Sequence, residues 1–170
     1  MSILNGFRRK RRINKKGGKE IPNVTLRTSL IVGFPGETVD DFEELEQFVE
    51  KAKFDKLGAF MYSKEDGTPA AKLLGQIHSK TKKSRYNKIM EIQQKISNEN
   101  LQTKIGQTFE VLVEDISFDG KYLIGRTKQD VPDIDGIVYI KNDTIEQLID
   151  KFVKVKITDV KDYDLIGELI

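Results

Sequence analysis

The apolar and polar positions of this chain follow two different periods, and the change falls near residue 105. Before that point, an apolar and β-branched run over 25–32 predicts a strand that is buried on both faces. Apolar residues at helical spacing predict helices over 38–53 and 79–104, and a shorter apolar run predicts a strand over 56–62. Strand, helix and strand in this order indicate a right-handed βαβ unit, and therefore an α/β fold.

After residue 105 the apolar and polar residues alternate in short stretches. Such alternation predicts β-strands, and their close spacing predicts a small five-stranded antiparallel barrel. Asp119 and Gly120 together are typical of a hairpin turn. A short helix over 144–150 is expected to close one end of the barrel. The fold class is therefore α/β followed by all-β.

The predicted helix over 38–53 has the clearest start signal in the chain. Thr38 is a favourable N-cap residue, and Asp41 stands three positions later, as in a capping box. The carboxylates of Asp40 and Asp41 also favour the positive end of the helix dipole. One helix face carries an apolar stripe that we expect to pack in the core: Phe42, Leu45, Phe48, Val49 and Ala52.

The segment between the first strand and this helix is the candidate ligand site. Gly33, Pro35 and Gly36 interrupt the apolar run there. In α/β proteins ligands bind outside the carboxyl ends of parallel strands, where glycine allows a close backbone approach and a helix N-terminus offers N–H groups. Neither Gly-x-Gly-x-x-Gly nor a phosphate loop is present, so a tight turn without a ligand remains the alternative.

The amino-acid composition excludes disulfides and the common kinds of metal site. The chain has no cysteine, which excludes disulfides and thiolate metal sites within it, and its one histidine, His78, cannot form a histidine-rich metal site. We therefore predict no metal ligands. No apolar run approaches membrane-spanning length and no secretory signal is visible, so we expect a cytoplasmic location and no membrane partner.

The net charge of +2 conceals a segregation along the chain. Residues 1–20 carry a net charge of +7, residues 21–104 of +1 and residues 105–170 of −6. The basic first segment has two interpretations, a nucleic-acid-binding arm or a poorly ordered chain end, and we favour the second. These three segments are the predicted domain organisation.

Several segments of the first part resemble the radical S-adenosylmethionine methylthiotransferases. Residues 26–38, LRTSLIVGFPGET, are similar to a late barrel strand of that family. Residues 62–70 resemble the loop that closes the last strand over the active-site cavity, with a simple surface turn as the alternative, and residues 85–97 resemble its connecting helix. The resemblance implies that residues 21–104 are the last βα units of a partial TIM-like radical barrel.

The second part resembles the TRAM domain, a module similar to the oligonucleotide-binding barrel and named for the RNA-modifying enzymes that carry it. Residues 123–127, LIGRT, and residues 155–160, VKITDV, are the matching segments. Together the two resemblances cover about residues 20–170. They imply a C-terminal fragment of a methylthiotransferase, with the TRAM domain over 105–170.

The resemblance also implies cofactors. Enzymes of this family use S-adenosylmethionine and two four-iron four-sulfur clusters held by cysteines, one of them in an N-terminal domain. Because this chain has no cysteine, it cannot hold either cluster. We therefore expect it to be inactive alone and to need the N-terminal domains of the same enzyme as partners.

The resemblance implies a cofactor-binding element beside the adenine of S-adenosylmethionine. Glu37 stands one position further on than the glutamate of the common Ile-x-Gly-x-x-Glu form. No catalytic residue is predicted in this chain. The predicted cofactor-binding residues are Ile31, Gly33, Gly36, Glu37, Arg27 and Glu65.

The net charge of the predicted barrel helps to choose between an RNA and a protein substrate. One branch of the family modifies an adenosine in tRNA, and the other, the RimO type, modifies an aspartate of a small-subunit ribosomal protein at the decoding centre. An RNA-reading barrel should be basic, whereas this one is acidic, with Asp130, Asp133 and Asp135 in one loop. These aspartates repel phosphate and attract a basic protein.

We therefore predict the RimO type, which the similar Pro-Asp-Ile-Asp-Gly segment at 132–136 also favours. In this interpretation the TRAM domain recognises the ribosomal protein, and RNA is the less favoured partner. The alternatives are a fragment of a tRNA adenosine methylthiotransferase, similar to MiaB, and a non-catalytic RNA-binding TRAM module.

Overall fold

A computed structural model of the protein describes residues 24–141 and 146–170. These residues form two compact units, one reaching to Ile96 and the other covering Ser97–Ile170. The predicted basic arm over 1–20 lies outside the described residues. No helix in the described ranges is long and apolar enough to cross a membrane.

The first unit contains the predicted βαβ unit. Strand β1 (Arg27–Val32) is followed by helix α1 (Val39–Ala52) and strand β2 (Lys56–Met61), and the two strands pair in parallel. A single 3-10 turn (Ala70–Lys72) precedes helix α2 (Ser79–Gln102). The observed bounds agree with the predicted helices and strands to within a few residues.

Burial of β1 on both faces was a wrong prediction. Leu30 and Val32 are buried, but Ile31 is 57 % exposed and lies opposite Phe60, which is 59 % exposed. Helices α1 and α2 share one apolar core with the buried side chains of the sheet. No other described element of this unit covers the second face, which only the tertiary structure could reveal.

Helix α1 begins as its sequence predicts. The Thr38 hydroxyl oxygen accepts a hydrogen bond from the Asp41 N–H at 3.1 Å, and the Asp41 carboxylate accepts one from the Thr38 N–H at 3.0 Å. This is a complete capping box. The predicted apolar stripe of α1 packs into the core of the unit, where the Phe48 and Phe54 rings meet edge to face at 5.7 Å.

The segment between β1 and α1 is joined to α2 by a buried ion pair. The Arg85 guanidinium donates to the Glu37 carboxylate, and both side chains are buried. Arg85 also donates to the main-chain carbonyls of Glu37 at 3.3 Å and of Thr38 at 3.2 Å. The Glu37 carboxylate accepts a further hydrogen bond from the Gly33 N–H at 2.9 Å. The ion pair therefore determines the shape of this turn.

The second unit is a closed five-stranded barrel, as predicted. Its strands are β3 (Thr108–Ile116), β4 (Tyr122–Thr127), β5 (Val138–Lys141), β6 (Phe152–Lys161) and β7 (Asp164–Leu169). Their order around the barrel is β3-β4-β5-β7-β6. Four neighbouring pairs are antiparallel, while β5 and β7 run parallel. The parallel pair arises because the chain passes from β5 to β6, which are not neighbours, and β7 then returns antiparallel to β6 and lies between the two.

Closure of the barrel depends on tight approaches between strands. A Cβ atom at Gly125 would lie 2.5 Å from the Leu112 carbonyl oxygen, and one at Gly167 would lie 2.7 Å from the Lys156 carbonyl oxygen. Strands β3 and β6 each carry a register shift, of the kind that lets a strand bend around a barrel. The inward side chains fill the interior with one apolar cluster.

The connections of the barrel agree in part with the predictions. Residues 117–121 join β3 and β4 as a hairpin turn, with Gly120 at a φ of +70°. The predicted short helix over 144–150 is a single 3-10 turn at Glu146–Leu148 among the described residues. Residues 142–145 lie outside the described residues.

Removal of the capping hydroxyl should destabilise the first unit. We expect Thr38→Ala to lower the free energy of unfolding by about 1 kcal/mol, because the Asp41 N–H loses its acceptor. Ser84→Ala, at an exposed position inside α2, is the control and should leave stability unchanged or slightly higher. Urea denaturation at neutral pH measures both. Equal effects of the two substitutions would contradict the capping role.

The Asp41 carboxylate, the other half of the capping box, should make the stability of the first unit depend on pH. The backbone N–H and then the hydroxyl of Thr38 hold the pKa of Asp41 below its ordinary value of 3.8. A lowered pKa in the folded state gives stability that is present above pH 3.8 and is lost as the pH falls through the folded value. The stability difference between the parent chain and Asp41→Asn should therefore shrink only in that acidic range.

Breaking the buried ion pair between Glu37 and Arg85 should lower the free energy of unfolding far more than breaking an exposed ion pair. We expect Glu37→Gln and Arg85→Met each to lower the free energy of unfolding by about 3–5 kcal/mol, because each leaves a buried charge unpaired. The double substitution should recover part of that loss. Glu91→Gln at the exposed Glu91–Lys95 pair is the control, with a small expected effect. Similar losses at Glu37 and Glu91 would show that the ion pair does not stabilise the fold.

Candidate functional site

The first candidate site lies at the carboxyl ends of β1 and β2, which meet because the strands are parallel. The Tyr62 N–H donates to the Val32 carbonyl at 2.9 Å and so extends the pairing beyond β2. The Phe34 and Tyr62 rings meet edge to face at 5.2 Å. The two aromatic side chains hold the outgoing chains of the two strands together.

Lys82 of α2 covers the backbone at Gly33. A Cβ atom at Gly33 would lie 2.4 Å from the Lys82 Cγ atom, and the φ of Gly33 is +72°. The Lys82 ammonium donates to the Tyr62 carbonyl at 2.8 Å and lies 4.9 Å from the centre of the Tyr62 ring. Gly33 therefore makes room for a side chain of the same chain. The Tyr62 hydroxyl is buried and has no hydrogen-bond partner in the described part of the chain.

The N–H groups of the turn are already used within the chain. The Gly33 N–H donates to the Glu37 carboxylate, the Gly36 N–H to the Gly75 carbonyl at 3.0 Å, and the Glu37 N–H to the Phe34 carbonyl at 2.9 Å. Thr38 caps the helix that follows. These three donors are therefore directed at acceptors of the chain itself and not at an anion.

The structure brings four of the six predicted cofactor-binding residues together. Ile31, Gly33, Gly36 and Glu37 lie at or just beyond the carboxyl end of β1. Glu65 is exposed in the loop after β2, where its carbonyl accepts the Thr68 N–H. Arg27, by contrast, stands at the amino end of β1, the far end of the strand from the turn.

The residues present fit the predicted cofactors only in part. A sequence without cysteine offers no thiolate for an iron–sulfur cluster, and the described ranges hold no group of three or more metal-ligating side chains. The residues therefore do not fit a cluster. Ile31 does offer an exposed apolar side chain, with Phe60 beside it, against which an adenine ring could pack. The Glu37 carboxylate is occupied by Arg85 and by the Gly33 N–H.

Sequence reasoning did not find the roles of Lys82, Arg85 and Gly75 around the turn. One signal was available for Arg85. Glu37 directly precedes a capping box whose acidic partner is Asp41, so the box itself leaves the Glu37 carboxylate available to another partner. The distance of 48 residues along the chain prevents any local pattern from naming that partner.

The second candidate site is one end of the barrel, where two acidic turns meet. The Ile137 N–H donates to the Asp164 carboxylate at 2.9 Å, and the Leu165 N–H donates to the Ile137 carbonyl at 2.9 Å. A Cβ atom at Gly136 would lie 1.9 Å from the Tyr163 carbonyl oxygen. The β4–β5 turn and the β6–β7 turn therefore form one continuous surface.

The three predicted aspartates of this end have different roles in the structure. The Asp130 carboxylate accepts hydrogen bonds from the hydroxyl and the N–H of Thr127, and the Asp135 carboxylate accepts one from the Val131 N–H at 2.7 Å. Both therefore hold the turn. Asp133 is exposed at a φ of +60°, and Asp162 of the adjoining turn is exposed at a φ of +54°.

Apolar side chains accompany these acids on the acidic end, which we define as the turns 128–137 and 162–163. Val131, Ile134 and Tyr163 are all exposed there. A surface that combines carboxylates with exposed apolar groups suits a partner that is basic and partly apolar.

Comparison with known proteins agrees with this architecture. A sequence profile of the TRAM domain family matches residues 105–170, the same range as the predicted barrel domain. The relatives include the ribosomal protein uS12 methylthiotransferase RimO of Alkaliphilus oremlandii, 57 % identical over 99 % of this chain and 40 % of that protein. The RimO proteins of Trichlorobacter lovleyi and Clostridium perfringens are 53 % and 48 % identical, over 89 % and 88 % of this chain.

The chain spans only part of these relatives, about a third of the length of the latter two and two fifths of the first. The similarity nevertheless covers both compact units. The predicted resemblance is thereby confirmed: nearly the whole chain is similar to part of the RimO-type methylthiotransferases, and residues 105–170 match the TRAM domain family.

Proposed function

We propose that this chain supplies the C-terminal part of an enzyme that transfers a methylthio group to an aspartate of the small-subunit ribosomal protein at the decoding centre. The observation that carries this proposal is its 57 % identity to a RimO protein over 99 % of its length. That relative is named for the ribosomal protein uS12 as its substrate. A ribosomal substrate agrees with the predicted cytoplasmic location.

In this proposal the acidic end of the barrel recognises the ribosomal protein. The net charge of −6 over 105–170 favours a basic partner and disfavours RNA phosphates at this end. Asp133 and Asp162 are its exposed carboxylates at left-handed positions, while Asp130 and Asp135 hold the turn in shape. Ile134 is exposed beside them and would contact an apolar side chain of the partner.

The cofactor side of the proposed function is the carboxyl end of β1. Ile31 would pack against the adenine of S-adenosylmethionine, and the turn at Gly33 and Gly36, held by Glu37, would bound that surface. Arg27 stays a weaker candidate, because it stands at the far end of β1 from the turn. Glu65 is exposed in the loop after β2 and stays a weaker candidate because no contact joins it to the turn among the described residues. Bound S-adenosylmethionine and a reduced iron–sulfur cluster supply radical chemistry, and the cluster ligands would belong to the remaining length of the enzyme.

The proposed recognition predicts the effect of removing two charges at the acidic end. We expect Asp133→Asn with Asp162→Asn to lower the association rate with purified ribosomal protein uS12 by about threefold to tenfold at low salt. Asparagine tolerates the left-handed backbone at both positions, so the turns should keep their shape. Biolayer interferometry with immobilised uS12 measures the rate.

Glu110→Gln with Glu168→Gln is the matched control, since it removes the same charge from exposed positions on the strands. If both pairs of substitutions slow association equally, only net charge matters and the acidic end is not the recognition surface. Tight binding of a tRNA anticodon stem-loop with no binding of uS12 would favour the tRNA branch of the family instead.

The absence of cluster ligands predicts that the 170-residue chain is inactive alone. We expect no methylthio group on uS12 when the chain is incubated anaerobically with S-adenosylmethionine, a reductant, iron and sulfide, because no cysteine can hold a cluster. Mass spectrometry of uS12 peptides is the measurement, with a full-length RimO as the positive control. Modified peptide from the 170-residue chain would contradict the proposed division of roles.

A further inference from the structure

The connection between β2 and α2, residues 62–78, holds an apolar side chain in solvent. Leu74 is 92 % exposed, more than any other large apolar side chain in the described part of the first unit, and Leu73 beside it is 46 % exposed. A single exposed leucine is common on protein surfaces, so its surroundings decide whether it has a function. Apart from one 3-10 turn the connection has no secondary structure, and connections of this length in compact domains usually have a function.

Hydrogen bonds within the connection hold Leu74 in a defined place. The Leu73 N–H donates to the Ala70 carbonyl, and the Gln76 side-chain amide donates to the Leu73 carbonyl, both at 3.2 Å. Earlier in the connection the Thr68 hydroxyl takes part in two further hydrogen bonds. This preorganised backbone reduces the conformational entropy that the connection would lose on contact with a partner.

The residue that follows Leu74 contacts the turn after β1. The Gly75 carbonyl accepts a hydrogen bond from the Gly36 N–H at 3.0 Å. Gly75 has a φ of +75°, and a Cβ atom there would lie 3.3 Å from the Gly36 backbone nitrogen, so glycine allows this close approach. Leu74 therefore lies at the border of the candidate cofactor surface, at the end of the parallel strands where α/β proteins bind their ligands.

The charges of the connection favour a protein as the partner. Residues 63–77 contain Lys64 and Lys72 together with Glu65 and Asp66, so their net charge is zero. A surface that binds RNA gains most of its affinity from an excess of cations, which this segment lacks. An apolar side chain on a segment without net charge suits an apolar group of a protein.

We propose that Leu74 is a substrate-binding residue, which contacts an apolar side chain of the ribosomal protein beside the aspartate that receives the methylthio group. This inference rests on the proposed function, because the substrate is a ribosomal protein only in that proposal. An aspartate that reaches a cofactor bound at Ile31 and Gly36 brings its neighbouring residues to the connection, since Gly75 contacts Gly36. Leu74 would then be removed from water on binding, which favours the complex.

The kinetics of uS12 binding distinguish this contact from attraction by the acidic end. We expect Leu74→Ala to raise the dissociation rate from immobilised uS12 roughly tenfold and to leave the association rate unchanged, because an apolar contact acts only at short range. The effect should persist at high salt, where attraction between exposed charges is screened. Leu74→Met, which keeps a large apolar side chain, should dissociate like the parent chain.

Ile170→Ala is the matched control, since it shortens an apolar side chain that is 70 % exposed in the second unit. We expect it to leave both rates unchanged. Because Leu74 and Ile170 are exposed, all of these variants should unfold at the same urea concentration as the parent chain, which separates lost binding from lost folding.

The absence of cysteine from the chain allows the contact to be located. Lys72→Cys provides a single thiol beside Leu74, and Lys51→Cys provides one in the last turn of α1 as the control. Each thiol is labelled with a benzophenone maleimide and irradiated in the presence of uS12. We expect the label at 72 to crosslink to the uS12 peptide that contains the aspartate modified by a full-length RimO, and the label at 51 to give no such crosslink.

Three results would overturn the proposal. Equal dissociation rates for Leu74→Ala and the parent chain would do so and would leave the proposed function intact, because recognition by the acidic end is measured in the association rate. Crosslinks from position 72 only to other peptides of uS12 would place the contact away from the target aspartate. No binding of uS12 by the parent chain, with binding of a tRNA anticodon stem-loop that Leu74→Ala weakens, would contradict both this inference and the proposed function.

Discussion

The buried ion pair between Glu37 and Arg85 is the contact on which the geometry of the first unit depends. It joins a turn after β1 to a helix 48 residues later in the chain, and the two charges need each other because both side chains are buried. Glu37 also binds the Gly33 N–H, so the same carboxylate shapes the turn and anchors α2. The candidate cofactor surface is consequently the outer face of β1 at Ile31, and not the N–H groups of the turn.

The barrel has an acidic end and a side without carboxylates, although its net charge of −6 does not distinguish them. Its acidic end consists of two turns that are held together by the Ile137–Asp164 hydrogen bond, and it presents Asp133 and Asp162. Strands β4 and β5 carry no carboxylate and present aromatic side chains instead. A partner can therefore experience attraction or repulsion according to which side it approaches, because charges further apart than about 8–10 Å are largely screened at physiological salt.

Local signals made much of the fold predictable. The capping box at Thr38 and Asp41 and the apolar stripe of α1 depend on neighbours within one or two helical turns, so the sequence displays them directly. The alternation of the barrel strands is equally local. The parallel pairing of β5 with β7 could not be read in this way, because it joins residues that no turn connects. The exposed face of β1 could not be predicted either, since an apolar residue in a sequence does not show whether another element covers it.

The amino-acid sequence by itself determined the order of helices and strands, the absence of cluster ligands, the segregation of charge and the family resemblance. These follow from residue types and short spacings. Only the tertiary structure decided that Glu37 is held by Arg85, that Asp130 and Asp135 support a turn while Asp133 is exposed, and that Phe118 stands fully in solvent. The physical reason is that hydrogen-bond partners and burial are properties of residues brought together by folding, and separation along the chain does not encode them.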